Sequence, residues 1–293
     1  MIEEIGYGKI NLALQITGRR ADGYHDIDTV FQSVGLCDVV RVEEANDLEI
    51  TCSEKSLACD ESNLAYKAYA ALRARAVNVK KKFVKIHIEK RIPIAAGLAG
   101  GSTDCAAVLR GLNRLWGLGL SVSELCRIGR HIGADVPFCI TGGTARGMGI
   151  GDVLKPLPSL PEWLVIIVHP HASVYTKEAY ALFDSQRCRE HVDVDGVEQA
   201  VRTQYFTELV RGMGNTFEEL IVADVPLIQE CRMLLQKYGL KPLMAGSGPT
   251  TFALVPPHMD GERVFRQITA EARHMDTYIS TLVRGDDNHN ENE

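Results

Sequence analysis

The chain has 293 residues, 45% of them hydrophobic and 24% charged, so it can bury a sizeable core in one large or two modest domains. Its formal net charge of −6 argues against broad electrostatic binding to nucleic acid or to an anionic membrane. A polyanionic small ligand is not excluded, because such a site needs only a few local donors.

The N-terminal half mixes strand and helix signals. Residues 39–42 and 84–88 predict strands, and the alanine- and leucine-rich residues 63–75 between them predict a helix. A further helix is predicted to open after Gly101, and a second one follows the capping-box pattern that begins at Ser121.

Glycines and prolines then divide the chain. Residues 142–151 contain five glycines and predict a tight turn region, and the proline cluster over 156–161 is the best candidate linker. The simplest partition is two α+β domains, over 1–155 and 156–283. The polar tail over 284–293 is predicted to be disordered.

Three strong elements are predicted beyond the linker. Residues 163–168 and 251–255 predict strands, and residues 226–238 predict a helix that ends at Gly239.

The eight cysteines contain no CxxC pair and are scattered through apolar segments, which is typical of reduced core thiols. No apolar stretch reaches the length of a membrane span, and the first eight residues lack the plan of a signal peptide. We therefore predict a cytoplasmic protein with no permanent metal site of its own. No nucleic acid, membrane or obligate protein partner is expected.

The strongest chemical signal is the segment PIAAGLAGGSTD over residues 93–104, between a predicted strand and a predicted helix. Glycines let backbone N–H groups approach an anion, and the helix directs the positive end of its dipole to the same place. A plain strand-to-helix turn needs fewer glycines and hydroxyls, so phosphate binding is favoured. The segment is not a Walker A loop, because no lysine follows its glycines.

Two further segments carry charged or polar groups. Lys9 and Asn11 stand two apart on a predicted strand and so share one face, either lining a cleft or lying on an exposed edge. Asp135 follows a helix in the run GADVP, where it is either a cap or a functional carboxylate, and spacing alone favours the cap. Phosphoryl transfer needs charge neutralisation and a group that accepts the hydroxyl proton, roles that Lys9 and Asp135 would fill if the fold brings them together.

Two weaker signals remain. Tyr24 and His25 place an aromatic face beside a hydrogen-bonding ring, which would suit a stacked base. The second glycine-rich run over 244–252, with Gly246, Ser247 and Gly248, is either a simple turn or another wall of an active site.

Taken in this order, the segments 8–32, 90–107, 118–152 and 244–252 resemble the GHMP kinase superfamily, named for galactokinase, homoserine, mevalonate and phosphomevalonate kinases. The first segment, KINL followed by RADGYH, is similar to the members that act on a cytidylyl methylerythritol. The resemblance implies a ribosomal-S5-like N-terminal domain, a ferredoxin-like C-terminal domain and an active site between them. It also implies that ATP with Mg²⁺ phosphorylates the 2-hydroxyl of that substrate, in the non-mevalonate route to isoprenoid precursors.

The resemblance also assigns roles to individual residues. Asp135 would be the base and Lys9 its charged neighbour, while Asn11, Tyr24 and His25 would hold the substrate, with Tyr180 as the opposite aromatic wall. The predicted ATP-binding residues are Asn63, Lys90, Pro93, Gly97, Leu98, Gly100, Gly101, Ser102 and Thr103.

Two alternatives remain at this point. Another GHMP kinase, acting on homoserine or isopentenyl phosphate, would have no base for Tyr24 and His25 to contact. A catalytically silent relative that binds metabolites and regulates should have lost Lys9 or Asp135, and both are present.

Overall fold

The computed structural model describes residues 1–77, 79, 82–185 and 191–285, and its described part is built on two sheets. The first sheet has the order β3-β4-β2-β1-β8, with a β5–β6 hairpin paired to β2. Its strands are β1 (Ile2–Arg19), β2 (His25–Glu44), β3 (Glu49–Cys52), β4 (Val84–Glu89), β5 (Thr144–Met148), β6 (Val153–Pro156) and β8 (Gly214–Asn215). The second sheet has the order β11-β7-β10-β9, formed by β7 (Leu164–Pro170), β9 (Leu243–Met244), β10 (Thr251–Leu254) and β11 (Met275–Thr281).

Helices cover these sheets. Those of the N-terminal half are α1 (Leu64–Arg73), α2 (Gly100–Leu115), α3 (Val122–Arg130) and α4 (Val136–Thr141). Those of the C-terminal half are α5 (Thr176–Ser185), α6 (Val194–Thr203), α7 (Phe206–Gly212), α8 (Thr216–Ile221), α9 (Pro226–Lys237) and α10 (Gly261–Glu271). Sheets and helices alternate irregularly along the chain, and the predicted α+β class is confirmed. Among the described residues, no helix combines the length and the apolar character that a bilayer span requires.

Local sequence signals explain where several helices begin. Asn63 caps α1 by accepting a hydrogen bond from the Ala65 N–H, and Ser121 and Glu124 form a reciprocal capping box at α3. The predicted helices over 63–75 and 226–238 are both present, as are the predicted strands. These predictions are confirmed because each depends on residues only a few positions apart.

The prediction of a tight turn throughout 142–151 is wrong. Residues Thr144–Met148 form strand β5, which pairs with both β2 and β6. Gly147 serves close packing instead of a turn, since a Cβ atom there would lie 2.5 Å from the Phe31 ring. Turns remain on either side of the strand, at Gly142 and Gly143 after α4 and at the hairpin end, where Gly149 and Gly151 have positive φ angles of 65° and 97°.

The boundary predicted near residue 155 falls within the last residues of β6, and the segment without regular structure follows it, over 157–163. Strand β8, from the C-terminal half, nevertheless pairs in parallel with Ala13 and Leu14 of β1. The division into 1–155 and 156–283 stays a prediction, and residues 286–293 of the predicted tail lie outside the described residues.

Arg110 fixes the direction of α2. Its buried guanidinium donates to Glu4 Oε2 at 3.0 Å and to the Ile5 carbonyl at 2.7 Å, both on β1. It also donates to the Cys139 carbonyl on α4 at 3.0 Å. One side chain therefore holds α2 against β1 and against the helix that Asp135 precedes.

Candidate active site

A cleft of about 1090 Å³ lies between the glycine-rich segment over residues 93–104, β1, the turn before α4 and helix α5. Its volume is at the upper end of the range for small-molecule sites. Most of the predicted site residues line it: Lys9, Asn11, Tyr24, His25, Asn63, Lys90, Pro93, Gly97, Gly100, Gly101, Ser102, Asp135, Tyr180, Gly246 and Ser247.

The amino terminus of α2 opens into this cleft. The N-cap residue Ala99 has a left-handed φ of 60° and forms no side-chain cap. The first N–H groups of a helix have no intrahelical acceptor, so those of Gly100, Gly101 and Ser102 are available to an anion. The sixteen-residue helix adds the positive end of its dipole at the same point.

Lys9 and Asn11 share the cleft-facing side of β1, as their spacing predicts. Lys9 Nζ donates to Asn11 Oδ1 at 3.0 Å, and Asn11 Nδ2 donates to Thr29 Oγ1 at 2.8 Å. Both residues are buried, and β1 lies between β2 and β8, so the exposed-edge alternative is wrong. The ammonium group of Lys9 is therefore held in place before any ligand binds.

Asp135 lies opposite this ammonium group. Its Oδ2 atom is 3.9 Å from Lys9 Nζ, although the two residues are far apart in sequence. Asp135 occupies the N-cap position of α4 but makes no side-chain cap hydrogen bond, and about a third (34%) of its side chain is exposed. The cap alternative is therefore wrong, and the carboxylate faces the cleft.

The two glycine-rich runs touch each other beside this pair. Gly97 has a φ of +76°, and a Cβ atom there would lie 2.1 Å from the Ala245 carbonyl oxygen. A Cβ atom on Gly246 would lie 3.3 Å from Lys9 Nζ. The second glycine run is thus a wall of the cleft and not a simple remote turn.

Asn215 holds that wall in place and was missed by the sequence analysis. Its Nδ2 group donates to the Met244 and Gly246 carbonyls at 2.8 and 2.7 Å, while Oδ1 accepts from the Phe217 N–H at 3.0 Å. The only local signal was the run Asn-Thr-Phe-Glu-Glu, a helix-cap pattern that says nothing about a distant loop.

Lys90 is engaged by two carboxylates. Its Nζ group is bonded to Asp38 Oδ2 and, at 2.8 Å, to Asp104 Oδ2. Burial alone would lower the pKa of Lys90, but Asp104 and Asp38 more than offset this and raise it. The predicted contact of this ammonium with adenosine must therefore compete with a buried ion pair.

Asp38 and Asp104 are the other members of this cluster. Asp38 is fully buried and also accepts from the backbone N–H groups of Arg91 and Ile92 at 2.6 and 2.9 Å, which fixes the start of the phosphate segment. Burial raises the pKa of Asp104 to about 7, with Lys90 opposing the shift. Asp104 Oδ1 is buried and has no hydrogen-bond partner among the described residues.

Three predicted ATP-binding or loop residues do not line the cleft. The Thr103 hydroxyl donates to the Tyr7 carbonyl at 2.5 Å, so the structure assigns it to β1 and not to phosphate. Leu98 belongs to the hydrophobic core, and Gly248 is buried behind Gly246 and Ser247. Asn63 lines the cleft, but its side chain also caps α1 and donates to the Ala58 carbonyl at 2.7 Å.

An aromatic group occupies the other end of the cleft. The His25 ring stacks on Tyr180, with centroids 4.5 Å apart and planes 13° apart. Burial raises the pKa of Tyr180 to about 12, and a smaller contribution comes from the charge of Asp135. Tyr24 is 62% exposed at the rim, where its ring is open to a ligand.

The chain is similar to known proteins over most of its length. Residues 63–143 match the GHMP kinases N terminal domain and residues 197–274 match the GHMP kinases C terminal domain. The 4-diphosphocytidyl-2-C-methyl-D-erythritol kinase of Enterococcus faecalis is 42% identical over 262 residues, which cover 88% of this chain and 91% of that protein.

Solved structures agree with this similarity. A crystal structure of 4-(cytidine 5'-diphospho)-2C-methyl-D-erythritol kinase has a TM-score of 0.78 at 30% identity and covers 96% of this chain and 99% of its own. The homoserine kinase of Cytophaga hutchinsonii has a TM-score of 0.75 at 17% identity, covers 97% of this chain and 96% of its own, and shares the fold alone.

The fold and the cleft define an ATP-dependent small-molecule kinase of the GHMP class, which confirms the two-domain architecture that the sequence resemblance implied. Within that class, the chain belongs to the family of 4-diphosphocytidyl-2-C-methyl-D-erythritol kinases.

Proposed function

We propose that this protein transfers the γ-phosphoryl group of ATP to the 2-hydroxyl of 4-diphosphocytidyl-2-C-methyl-D-erythritol. The observation that carries the proposal is the 3.9 Å approach of Lys9 Nζ to Asp135 Oδ2 inside the cleft, beside the open amino terminus of α2. The family membership indicates the substrate. Its phosphorylation is one step of the non-mevalonate route to isoprenoid precursors.

The nucleotide phosphates would lie at the amino terminus of α2. Gly100, Gly101 and Ser102 present N–H groups there without large side chains, so that an oxyanion can approach the backbone. The adenosine would extend towards the side of the cleft that Asn63 and Pro93 line.

Lys9 and Asp135 would act on the reacting hydroxyl. Asp135 accepts the hydroxyl proton as the oxygen attacks, because its carboxylate is free of capping bonds and partly open to the cleft. Lys9 neutralises the charge that develops on the transferred group, and its bond to Asn11 orients it without reorganisation during the reaction.

The cytidylyl base would bind at the aromatic end of the cleft. The exposed Tyr24 ring offers a stacking face, and the edge of His25 offers a hydrogen-bonding group. Tyr180 supports the ring of His25 by stacking on it. Tyr180 also lines the cleft, and its role as the aromatic wall opposite Tyr24 stays a prediction.

Mg²⁺ would accompany ATP. Hard divalent cations take oxygen ligands and are commonly bound through substrate phosphates plus one or two protein oxygens. The Ser102 hydroxyl lines the cleft at the helix terminus and fits this requirement. When bound, the ion would supply charge neutralisation on the phosphates.

We also propose that the protein works in the cytoplasm. Seven cysteines lie in the described ranges, all as free thiols, and a reducing compartment preserves that state. Fractionation of cells with an antibody to the protein tests this placement, and recovery in a membrane or secreted fraction would reject it.

The function is tested by an ADP-release assay with purified protein, ATP and Mg²⁺. The expected result is turnover with the cytidylyl substrate and little with homoserine or isopentenyl phosphate, which have no base for Tyr24 and His25 to contact. Turnover with one of these two compounds in place of the cytidylyl substrate would reject the assignment. Absence of turnover with all three would favour a catalytically silent binding protein.

A further inference from the structure

Asp184, at the end of α5, contacts the base-binding end of the cleft but has no role in the phosphoryl transfer derived above. Its Oδ1 atom is 2.8 Å from Nε2 of His25. Its other oxygen, Oδ2, is 3.3 Å from Nη1 of Arg19. The His25 side chain is almost fully buried, with 3% of its surface exposed, so this contact is one of its few polar contacts.

The contact decides which nitrogen of His25 carries a proton. An ionised carboxylate can only accept hydrogen bonds, so Nε2 must be the protonated nitrogen. In the neutral ring Nδ1 is then a bare acceptor. Among the described residues Nδ1 has no hydrogen-bond partner. Unlike the unpaired side-chain atoms that are fully buried, it keeps some accessible surface. It is therefore open to a ligand in the cleft that His25 lines.

Two aromatic rings keep His25 in this orientation. Tyr180 stacks on its face at 4.5 Å, and Phe183 meets it edge-on at 5.8 Å with an interplanar angle of 90°. A ring that makes these two aromatic contacts cannot rotate to exchange its two nitrogens without breaking them. Because Asp184 keeps the proton on Nε2 and the aromatic contacts keep the ring in place, Nδ1 is a fixed acceptor in the cleft.

An acceptor at this point distinguishes two pyrimidines. Cytosine carries an exocyclic amino group, a donor, where uracil carries a carbonyl oxygen, an acceptor. A bare Nδ1 atom binds the amino group and repels the carbonyl oxygen of a base held in the same position. We propose that Asp184 is a positioning residue that fixes the Nε2-protonated form of His25 and so makes the base subsite selective for cytosine over uracil. This inference rests on the proposed function, since it assumes that the substrate's base binds at His25.

The plain alternative is that Asp184 only ties α5 to the β1–β2 turn. Exposed ion pairs contribute little to stability, and the Arg19 side chain is 62% exposed. Removing a purely structural Asp184 would change folding stability only slightly, and it would not change the preference between cytosine and uracil, which differ in the exocyclic group and in the donor or acceptor role of the adjacent ring nitrogen.

The test compares wild type, Asp184→Leu and the control Arg19→Met. Arg19→Met removes the other partner of the same carboxylate and leaves the bond to His25 in place. For each protein kcat/KM is measured with 4-diphosphocytidyl-2-C-methyl-D-erythritol and with its uridylyl counterpart. Nitrogen-15 NMR of the imidazole in each protein reports the protonated nitrogen independently of activity, and circular dichroism confirms folding.

We expect wild type and Arg19→Met to prefer the cytidylyl substrate, with the His25 proton on Nε2. In Asp184→Leu the ratio of kcat/KM between the cytidylyl and uridylyl substrates should fall about tenfold, mainly through a change in KM. A change of this size corresponds to the loss of one well-placed hydrogen bond. An unchanged preference in folded Asp184→Leu, or a wild-type proton on Nδ1, would overturn the inference alone. Failure of the wild type to phosphorylate the cytidylyl substrate at all would instead reject the proposed function.

Discussion

At the scale of single residues, the site depends on groups whose side chains are not used for local structure. Asp135 stands at a helix N-cap, where an aspartate ordinarily bonds to the first turn, yet it makes no such bond and faces Lys9. Thr103 shows the opposite case. It lies in the glycine-rich segment that predicts phosphate binding, but its hydroxyl donates to the Tyr7 carbonyl on β1. Residue type alone did not distinguish the cleft-facing Asp135 from the structural Thr103. The direction of each side chain in the folded chain distinguishes them.

Gly97 is the residue at which a single methyl group should do most damage. In Gly97→Ala the new Cβ atom would meet the Ala245 carbonyl oxygen, and alanine would also be held at a left-handed φ. We expect the free energy of unfolding, measured by urea denaturation, to fall by about 2 kcal/mol or more.

Gly101→Ala is the matched control for that variant. A Cβ atom at Gly101 meets only Leu64 Cδ1, at 3.8 Å, and the residue lies in a helix, where alanine is favoured. Its stability should equal or exceed that of wild type. Equal stability of the two variants would show that the contact between the glycine runs does not constrain the loop.

At the scale of elements, helix α2 has to be held firmly for its amino terminus to serve as an anion site. Arg110 provides this through three buried bonds, to Glu4, Ile5 and Cys139. We expect Arg110→Met to lower the free energy of unfolding by about 3–5 kcal/mol, because Glu4 and two carbonyl groups lose their buried partner.

Arg114 gives the comparison for Arg110. It bonds to the same Glu4 at 2.8 Å, but 47% of its side chain is exposed. Arg114→Met should cost under about 1 kcal/mol in the same denaturation experiment. Similar losses in the two variants would contradict the role given to burial at Arg110.

The contribution of Asp104, near the start of α2, to folding stability depends on pH. Burial raises the pKa of Asp104 from 3.8 to about 7, so between these values the folded protein retains a proton that the unfolded chain releases. Wild-type stability should therefore fall as pH rises through this window, relative to Asp104→Asn. Urea midpoints of both proteins from pH 4 to pH 8 test this, and parallel curves would contradict the effect that burial has on the pKa of Asp104.

Most individual elements were predictable, because their signals are local. The capping box at Ser121 and the glycine after α9 fixed helix ends within a few residues. Strand β5 was not predictable, since its one glycine, Gly147, is needed for close packing against Phe31 on β2 and not for a turn. The Lys90 cluster was missed for the same reason, as Asp38 lies 52 residues away in sequence and contacts Lys90 only in the folded chain.

At the scale of the whole molecule, a partly buried ion cluster joins the two halves of the chain. Arg146 on β5 pairs with Asp28 on β2, and it also reaches Asp195 and Glu198 on α6. Burial alone would raise the pKa of Glu198, but hydrogen bonds from Lys155, Arg146 and Arg202 lower it from 4.5 to about 2. The stability that this carboxylate contributes is therefore present above pH 4.5 and is lost as pH falls towards 2.

We expect Glu198→Gln to lower the free energy of unfolding by about 2 kcal/mol at pH 7. The difference from wild type should shrink as pH falls through the window from 4.5 to about 2. Asp195→Asn is the control, because Asp195 contacts the same arginine with 85% of its side chain exposed and should matter little. A loss for Glu198→Gln that stays constant with pH would contradict this account.

Contacts between the N-terminal and C-terminal halves of the chain form part of the site, and the sequence alone does not predict such contacts. The two glycine runs, Lys9 and Asp135 were visible as candidates, and the family resemblance suggested their roles. That Gly97 touches Ala245, or that Asn215 holds Gly246, depends on the way β8 joins β1. Such contacts follow from long-range topology, which periodicity and spacing do not encode.

The central claim is that Asp135 accepts the proton of the hydroxyl beside Lys9. Single-turnover measurement with Asp135→Asn, ATP, Mg²⁺ and the cytidylyl substrate tests it most directly, with ATP affinity measured in parallel. The account predicts a rate lower by about 10²–10⁴-fold with nearly unchanged ATP affinity. A rate close to that of the wild type would contradict it.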